Sequence, residues 1–445
     1  MTSSTSNSDN NNKKPTEEKT NMTDKLKDPL KDQQVEDTEL APLDAKERRK
    51  VGAYTVLFGG LTVLLAMLLV NGGIALLRYQ SLNPFSIERI QTSADKLDIA
   101  LSIPEDDPRQ VVYVMGSSLV HFGFSPDVFD EYMNNAGVPT VSYNFGFGNA
   151  DPSIHVKFAR KLARTFEGQP KRVDRIIYEF APHGSTYQRA ATSGQLDHAT
   201  TAVLSSWSDI GEKLRENPEE AFALMNTRLF RSGVPAEAIT HMLSMPIKVA
   251  ELDAAVKDRP EPVAMDNLGW DLFHQLRNDW PDSIPFGGWS DRYRGGFPPT
   301  ASPRALELSD EVMRRMQDPV RMERSRQQRI ACCDMLELHI DPQMIADVIQ
   351  TIRYAQSVAK DVDIVIMPLN QDIVQISDQG MQNFAKALDE IVAATGVDIV
   401  DLYKTPYLGV EYFFDVDHYT IFKGRHKVTT LMAEKYAESA IATAE

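Results

Sequence analysis

The chain has 445 residues, 42% of them hydrophobic and 25% charged, and a formal net charge of −16. That is enough for one large globular domain, or two medium ones, beside a tail. The acidic balance argues against a nucleic-acid backbone as the main partner, because phosphate binding needs a basic footprint, though it leaves room for a local basic patch.

Residues 1–45 are rich in Ser, Thr, Asn, Asp, Lys and Glu. They offer too little apolar surface to offset the entropy of ordering, so a disordered segment is expected within a cytoplasmic tail over 1–50. Residues 51–77 then carry no charge at all. A helix of about 20 apolar residues crosses a bilayer, so this run reads as a transmembrane anchor rather than a buried core helix. It starts too far along the chain for a cleaved signal peptide. Lys46, Arg48, Arg49 and Lys50 precede the span, and only Arg78 follows closely. The positive-inside rule then keeps the N-terminus cytoplasmic and puts the body outside the inner membrane.

The body is expected over 85–445. Five short runs rich in β-branched and aromatic residues read as strands: 111–115, 140–145, 175–180, 363–368 and 397–403. Helical patterns lie between and after them at 126–135, 152–166, 343–360, 381–395 and 423–442. Ser125-Pro126 and Asp151-Pro152 open the first two as an N-cap followed by Pro. Strands alternating with helices predict an α/β fold, a parallel sheet covered on both faces. Between the third and fourth strands, residues 184–341 hold all four tryptophans and a Pro/Gly-rich stretch at 281–303. Helical patterns at 200–216 and 303–329 flank that stretch, and the insertion reads as a helical cap. Its tryptophans read as the cap's core, with stacking on sugar rings as the sharper alternative.

The two cysteines, Cys332 and Cys333, are adjacent. As a cross-link they would close almost no loop, and they are too few for a metal site. They read as core or helix residues. No metal or cofactor is expected. So few cysteines suit the cytoplasm, but a large domain with its own core also does without disulfides outside it.

Two local patterns carry chemistry. The first strand runs into Gly116-Ser117-Ser118, and ligands of an open α/β sheet bind beyond the carboxyl ends of its strands. A serine there faces a cleft, although alone it would more often be a plain turn residue. Near the C-terminus, 414–419 reads Phe-Asp-Val-Asp-His-Tyr. A nucleophilic serine needs a base, and the base needs an acid to fix its tautomer. Asp415 and His418, three residues apart in one turn, can supply both. Asp417 is the competing acid, but adjacent side chains diverge. His426 is the weaker base.

Gly116-Ser117-Ser118 and the Asp415-to-His418 turn before the last helix, in this order on this strand alternation, resemble the SGNH/GDSL hydrolase superfamily. Gly123-Phe124-Ser125-Pro126 and Tyr143-Asn144-Phe145-Gly146 resemble its membrane-anchored bacterial branch, linked to cell-envelope polysaccharide acylation. The resemblance covers about residues 108–182 and 343–445. It implies a flavodoxin-like three-layer sandwich and a triad of Ser118, His418 and Asp415. It also implies an oxyanion hole holding the Ser118 and Gly146 N–H groups. The family's third block carries an asparagine where this chain reads Ala181-Pro182-His183-Gly184. Asn149 is the nearby substitute, and His183 another, with a plain loop histidine as its bland reading. The implied activity is hydrolysis of acyl esters, or their transfer to a glycan hydroxyl. An acylated glycan is the implied substrate and a multi-pass membrane acyltransferase the implied partner. The departure at the third block keeps open an inactive SGNH-fold scaffold or glycan-binding subunit.

Overall fold

The computed structural model describes residues 44–79, 96–104, 107–148, 150–193, 201, 203–230, 317–403, 407–420 and 423–444. The tail over 1–43, the stretch 281–303, Trp270, Trp280, Trp289 and Asn149 lie outside the described residues. The molecule divides into two compact units, 1–61 and 62–445.

Helix α1 spans Ala45–Tyr79. It starts before the apolar run because Asp44 caps it: its Oδ1 accepts the N–H groups of Lys46 and Glu47, each at 2.7 Å. Over residues 45–70 its mean hydropathy is 2.2, so it is long and apolar enough to cross a membrane. Its large apolar side chains, such as Leu57, Leu64 and Leu68, are exposed.

The body is built on a five-stranded sheet: β1 Gln110–Gly116, β2 Thr140–Gly146, β3 Val173–Glu179, β4 Ala359–Ile366 and β5 Asp398–Asp401. Every described pairing is parallel, and the order is β2-β1-β3-β4-β5. Strand β1 is an interior strand, and all its residues from Val111 to Gly116 are buried. A strand covered on both faces needs such an unbroken apolar run. Strand β4 starts four residues before the expected 363, and the preceding helix correspondingly ends at Val358. Pairing with β3, where Val173 faces Ala359 and Arg175 faces Asp361, draws these more polar residues into the sheet.

Helix α2 covers residues 96–101, and α3 Ser118–Gly123 follows β1. Then come α4 Pro126–Asn135 and α5 Pro152–Thr165. Asp151 caps α5 through Ser153 N at 2.9 Å. The insertion contributes α6 Tyr187–Ser193, α7 Trp207–Glu216, α8 Pro218–Phe230 and α9 Pro319–Cys333. Helices α10 Pro342–Val358, α11 Asp378–Thr395 and α12 Lys423–Ala444 follow. One apolar cluster joins the sheet to α2, α5, α10 and α11, the other to α3, α4 and α12. Two covered faces make three layers.

The mouth of the insertion is pinned shut. Thr186 and Ile340 form an antiparallel bridge, and Asp341 N donates to Ser185 O at 2.8 Å. Trp207 departs from the expected cap core. It is 54% exposed, with the Arg228 guanidinium 5.3 Å from its ring centre. Cys332 and Cys333 close α9 as helix residues, but they are bonded to each other rather than free.

Candidate active site

In the parallel register, Gly116 ends β1 beside Gly146 at the end of β2. The chain then turns directly into α3. Ser117 is the N-cap, its Oγ accepting Leu119 N–H at 3.2 Å, which leaves Ser118 as the first helical residue. The turn has no room for a side chain at 116: a Cβ would lie 2.5 Å from the Glu179 carboxylate and 2.8 Å from Val120 Cγ2. Glu179 Oε2 accepts Ser117 N–H at 2.6 Å. Burial raises the pKa of this carboxyl, partly offset by that bond.

Ser118 is half-buried. Its Oγ lies 2.7 Å from His418 Nε2, across 300 residues of sequence. His418 Nδ1 lies 2.7 Å from Asp415 Oδ2. The other oxygen of Asp415 accepts the N–H groups of Asp417 at 3.0 Å and His418 at 2.8 Å, so the turn orients its own acid. The imidazole is held between two aromatic rings, stacked on Phe414 and edge-on to Phe122. From beneath, Asn370 Nδ2 donates to Asp415 O at 3.4 Å. Geometry thus separates the two candidate acids. Asp415 faces Nδ1 squarely, while Asp417 Oδ1 is 3.3 Å away and engaged elsewhere.

Asp417 instead anchors a charge network. Arg329 on α9 donates to its Oδ1 from Nε at 3.1 Å and Nη2 at 2.9 Å. His183 Nε2 approaches its Oδ2 at 3.2 Å. Burial alone would raise the Asp417 pKa, but Arg329, His418 and His183 hold it well below the usual carboxylate value. Arg329 Nη2 also comes within 3.4 Å of His418 Nδ1. That nitrogen already donates to Asp415, so this is a close approach of like groups, not a bond. Burial pushes the His418 pKa down, but the charges of Asp415 and Asp417 outweigh it and leave the value raised.

Helix α9 and Gln317 just before it grip the loop carrying Asp415 and His418 at three points. Gln317 donates to Phe413 O at 2.8 Å, Arg321 to Phe414 O at 3.1 Å, and Arg329 to Asp417. A helix of the insertion therefore belongs to the site. Asp415, Asp417 and His418 lie close enough to share a cation, within 4.8 Å of one another. Each is already committed, Asp415 to His418, His418 to Ser118, and Asp417 to Arg329 and His183, and the guanidinium supplies positive charge beside them.

The expected oxyanion donors fare differently. The Ser118 N–H opens α3, where no intrahelical acceptor reaches it. Gly146 N–H is directed at Asn144 Oδ1, 3.0 Å away, rather than at Ser118. What the glycine provides is close approach, since a Cβ there would collide with the backbone nitrogen of His121. His183 directs Nε2 at Asp417, and its Nδ1 is buried without a partner. His426 lies exposed on α12.

Lys96, with no motif to mark it, lies wholly buried behind Gly146. Its amine donates to Gly146 O at 2.5 Å and to Asn144 Oδ1 at 3.3 Å, and it lies 3.3 Å from His121 Nδ1. Burial pushes its pKa well below 10.5. Neither Lys96 nor Arg329 carried a sequence signal, because each acts through partners far away along the chain. No protein-family model matches this chain, and no curated protein matches it.

Proposed function

We propose that the chain is a serine hydrolase or O-acyltransferase that forms an acyl-enzyme on Ser118. The observation that carries this reading is the unbroken hydrogen-bond path from Ser118 Oγ to His418 Nε2 and from His418 Nδ1 to Asp415, each step 2.7 Å. Asp415 keeps the proton on Nδ1, so Nε2 is free to accept. Ser118 Oγ bonds to the acyl carbon, its proton passes to Nε2, and the carbonyl electron pair moves onto oxygen. Collapse of that intermediate expels an alcohol, which takes the proton from His418. Water or a sugar hydroxyl then attacks the acyl-serine by the reverse sequence.

The Ser118 N–H is the assigned oxyanion donor. Asn149, three residues past β2 in the sequence, is the second candidate. Gly146 would join them only on releasing Asn144. In this reading α1 holds the body on the outer side of the inner membrane, with Lys46, Arg48, Arg49 and Lys50 on the cytoplasmic side. Acyl esters of envelope polysaccharide are then the substrate class, and a multi-pass acyltransferase is a fitting partner.

The test uses the full chain in detergent. A fluorophosphonate probe is expected to label Ser118, p-nitrophenyl acetate to turn over, and Ser118→Ala to lose both. A second reading, an inactive scaffold or glycan-binding subunit, draws on the engaged Gly146 N–H. Absence of labelling and turnover in the wild type would select it.

A further inference from the structure

Away from the triad, the start of α12 meets the start of α4 around an open cavity of about 560 Å³. Lys423, Arg425, His426 and Lys427 line it from α12, and Ser125 lines it from α4. Tyr412 forms part of the wall, with Lys423 Nζ 4.7 Å from its ring centre. In a chain of net charge −16, three cations and a histidine within five residues form a local inversion of sign.

Ser125 is the informative member. It is the N-cap of α4, yet its side chain makes no capping bond. It is only 1% exposed, and its Oγ has no hydrogen-bond partner. A buried hydroxyl left unpaired is costly, and serines at this position ordinarily turn back onto their own helix. The residue is also held in place. Thr429 Oγ1 on α12 accepts Ser125 N–H at 2.9 Å and donates to Gly123 O at 3.0 Å, tying the two walls together. The hydroxyl, the cations and the first-turn N–H groups of α4 are all donors, so the complementary ligand is an acceptor-rich anion. Asp127, whose charge acts on Arg425, offsets part of the positive charge and leaves Lys423 and Lys427 to dominate. The volume far exceeds a bare anion and leaves room for substituents on either side of it.

We propose that this groove binds a phosphoester group, separately from the Ser118 site. The phosphate would accept from the Ser125 hydroxyl and lie between Lys423 and Lys427.

The test is calorimetric titration of the full chain in phosphatidylcholine nanodiscs with inorganic phosphate and with glycerol phosphate. Saturable binding that weakens with added salt is expected. Replacing Lys423 or Lys427 by Ala should weaken it about fivefold each. Ser125→Ala should weaken it several-fold, with the thermal midpoint of the unliganded protein preserved. Suppression of phosphate binding in phosphatidylglycerol nanodiscs would assign the group to a lipid headgroup, and equal binding in both would assign it to a soluble phosphoester. Absence of saturable binding, indifference to Lys423→Ala and Lys427→Ala together, or acetate binding as tightly as phosphate would each overturn the proposal. Fluorophosphonate labelling of Ser118 should be unchanged in the lysine variants, so this result and that of the acyl-enzyme reading are independent.

Discussion

Replacing Asp415 and Asp417 in turn by asparagine tests whether the site works as its geometry indicates. Asp415 Oδ2 lies 2.7 Å from His418 Nδ1. An amide there can present its NH₂, which turns Nδ1 into the acceptor and puts the ring proton on Nε2, facing Ser118. The base is then lost with little change of shape, and a loss of about 10⁴-fold in rate is expected. Asp417 is different. At 3.3 Å from Nδ1 its charge attracts the imidazolium by about 5 kcal/mol at an effective dielectric near 20. Arg329, at 3.4 Å, opposes it by nearly the same amount. The two nearly cancel at the ring, so their effects appear mainly when one is removed alone. A neutral imidazole is required to accept the serine proton, so reactivity rises with pH through the His418 pKa. With that value raised, the acid limb of the profile should lie above 6.5. Arg329→Gln leaves two carboxylates beside the ring and moves the limb to higher pH. Asp417→Asn leaves the guanidinium unopposed and moves it to lower pH. The double variant should return near the wild-type position, with a rate within about tenfold of it, as ordinary coupling between contacting residues allows. The assay is the second-order rate of fluorophosphonate labelling against pH. Asp415→Asn retaining a large part of the rate, with Asp417→Asn abolishing it, would refute the assignment of the acid.

Other consequences follow from packing and burial. Gly146→Ala should destabilise the body by at least about 1–3 kcal/mol, because its Cβ meets the His121 backbone rather than a movable side chain; urea unfolding measures this. The lowered pKa of Lys96 means that, between that value and 10.5, the unfolded chain binds more protons than the folded one. Stability should therefore rise with pH across that window, and Lys96→Met should flatten the rise; urea midpoints of the two proteins, compared up to about pH 10, report it. The full chain should stay in the membrane pellet through carbonate extraction, and its appearance in the supernatant would count against α1 as an anchor.

The fold was largely legible along the chain. Short apolar runs such as 111–115, rich in β-branched and aromatic residues, read as strands covered on both sides, and Ser125-Pro126 and Asp151-Pro152 announce helix starts through local chemistry. For the same reason the Ser118 corner and the Asp415-to-His418 turn could be singled out, since each is a short-range pattern. What tertiary structure alone decided is everything that depends on distant partners. Spacing along the chain already favoured Asp415 over Asp417; that Asp417 is taken up by Arg329, which arrives from an insertion with no motif of its own, was not legible there. The direction of the Gly146 N–H depends on Asn144, and the burial of Lys96 on the strand ends it packs beneath. Periodicity and capping act within a few residues. Charge compensation acts through space, and here it joins Arg329 to Asp417, 88 positions apart.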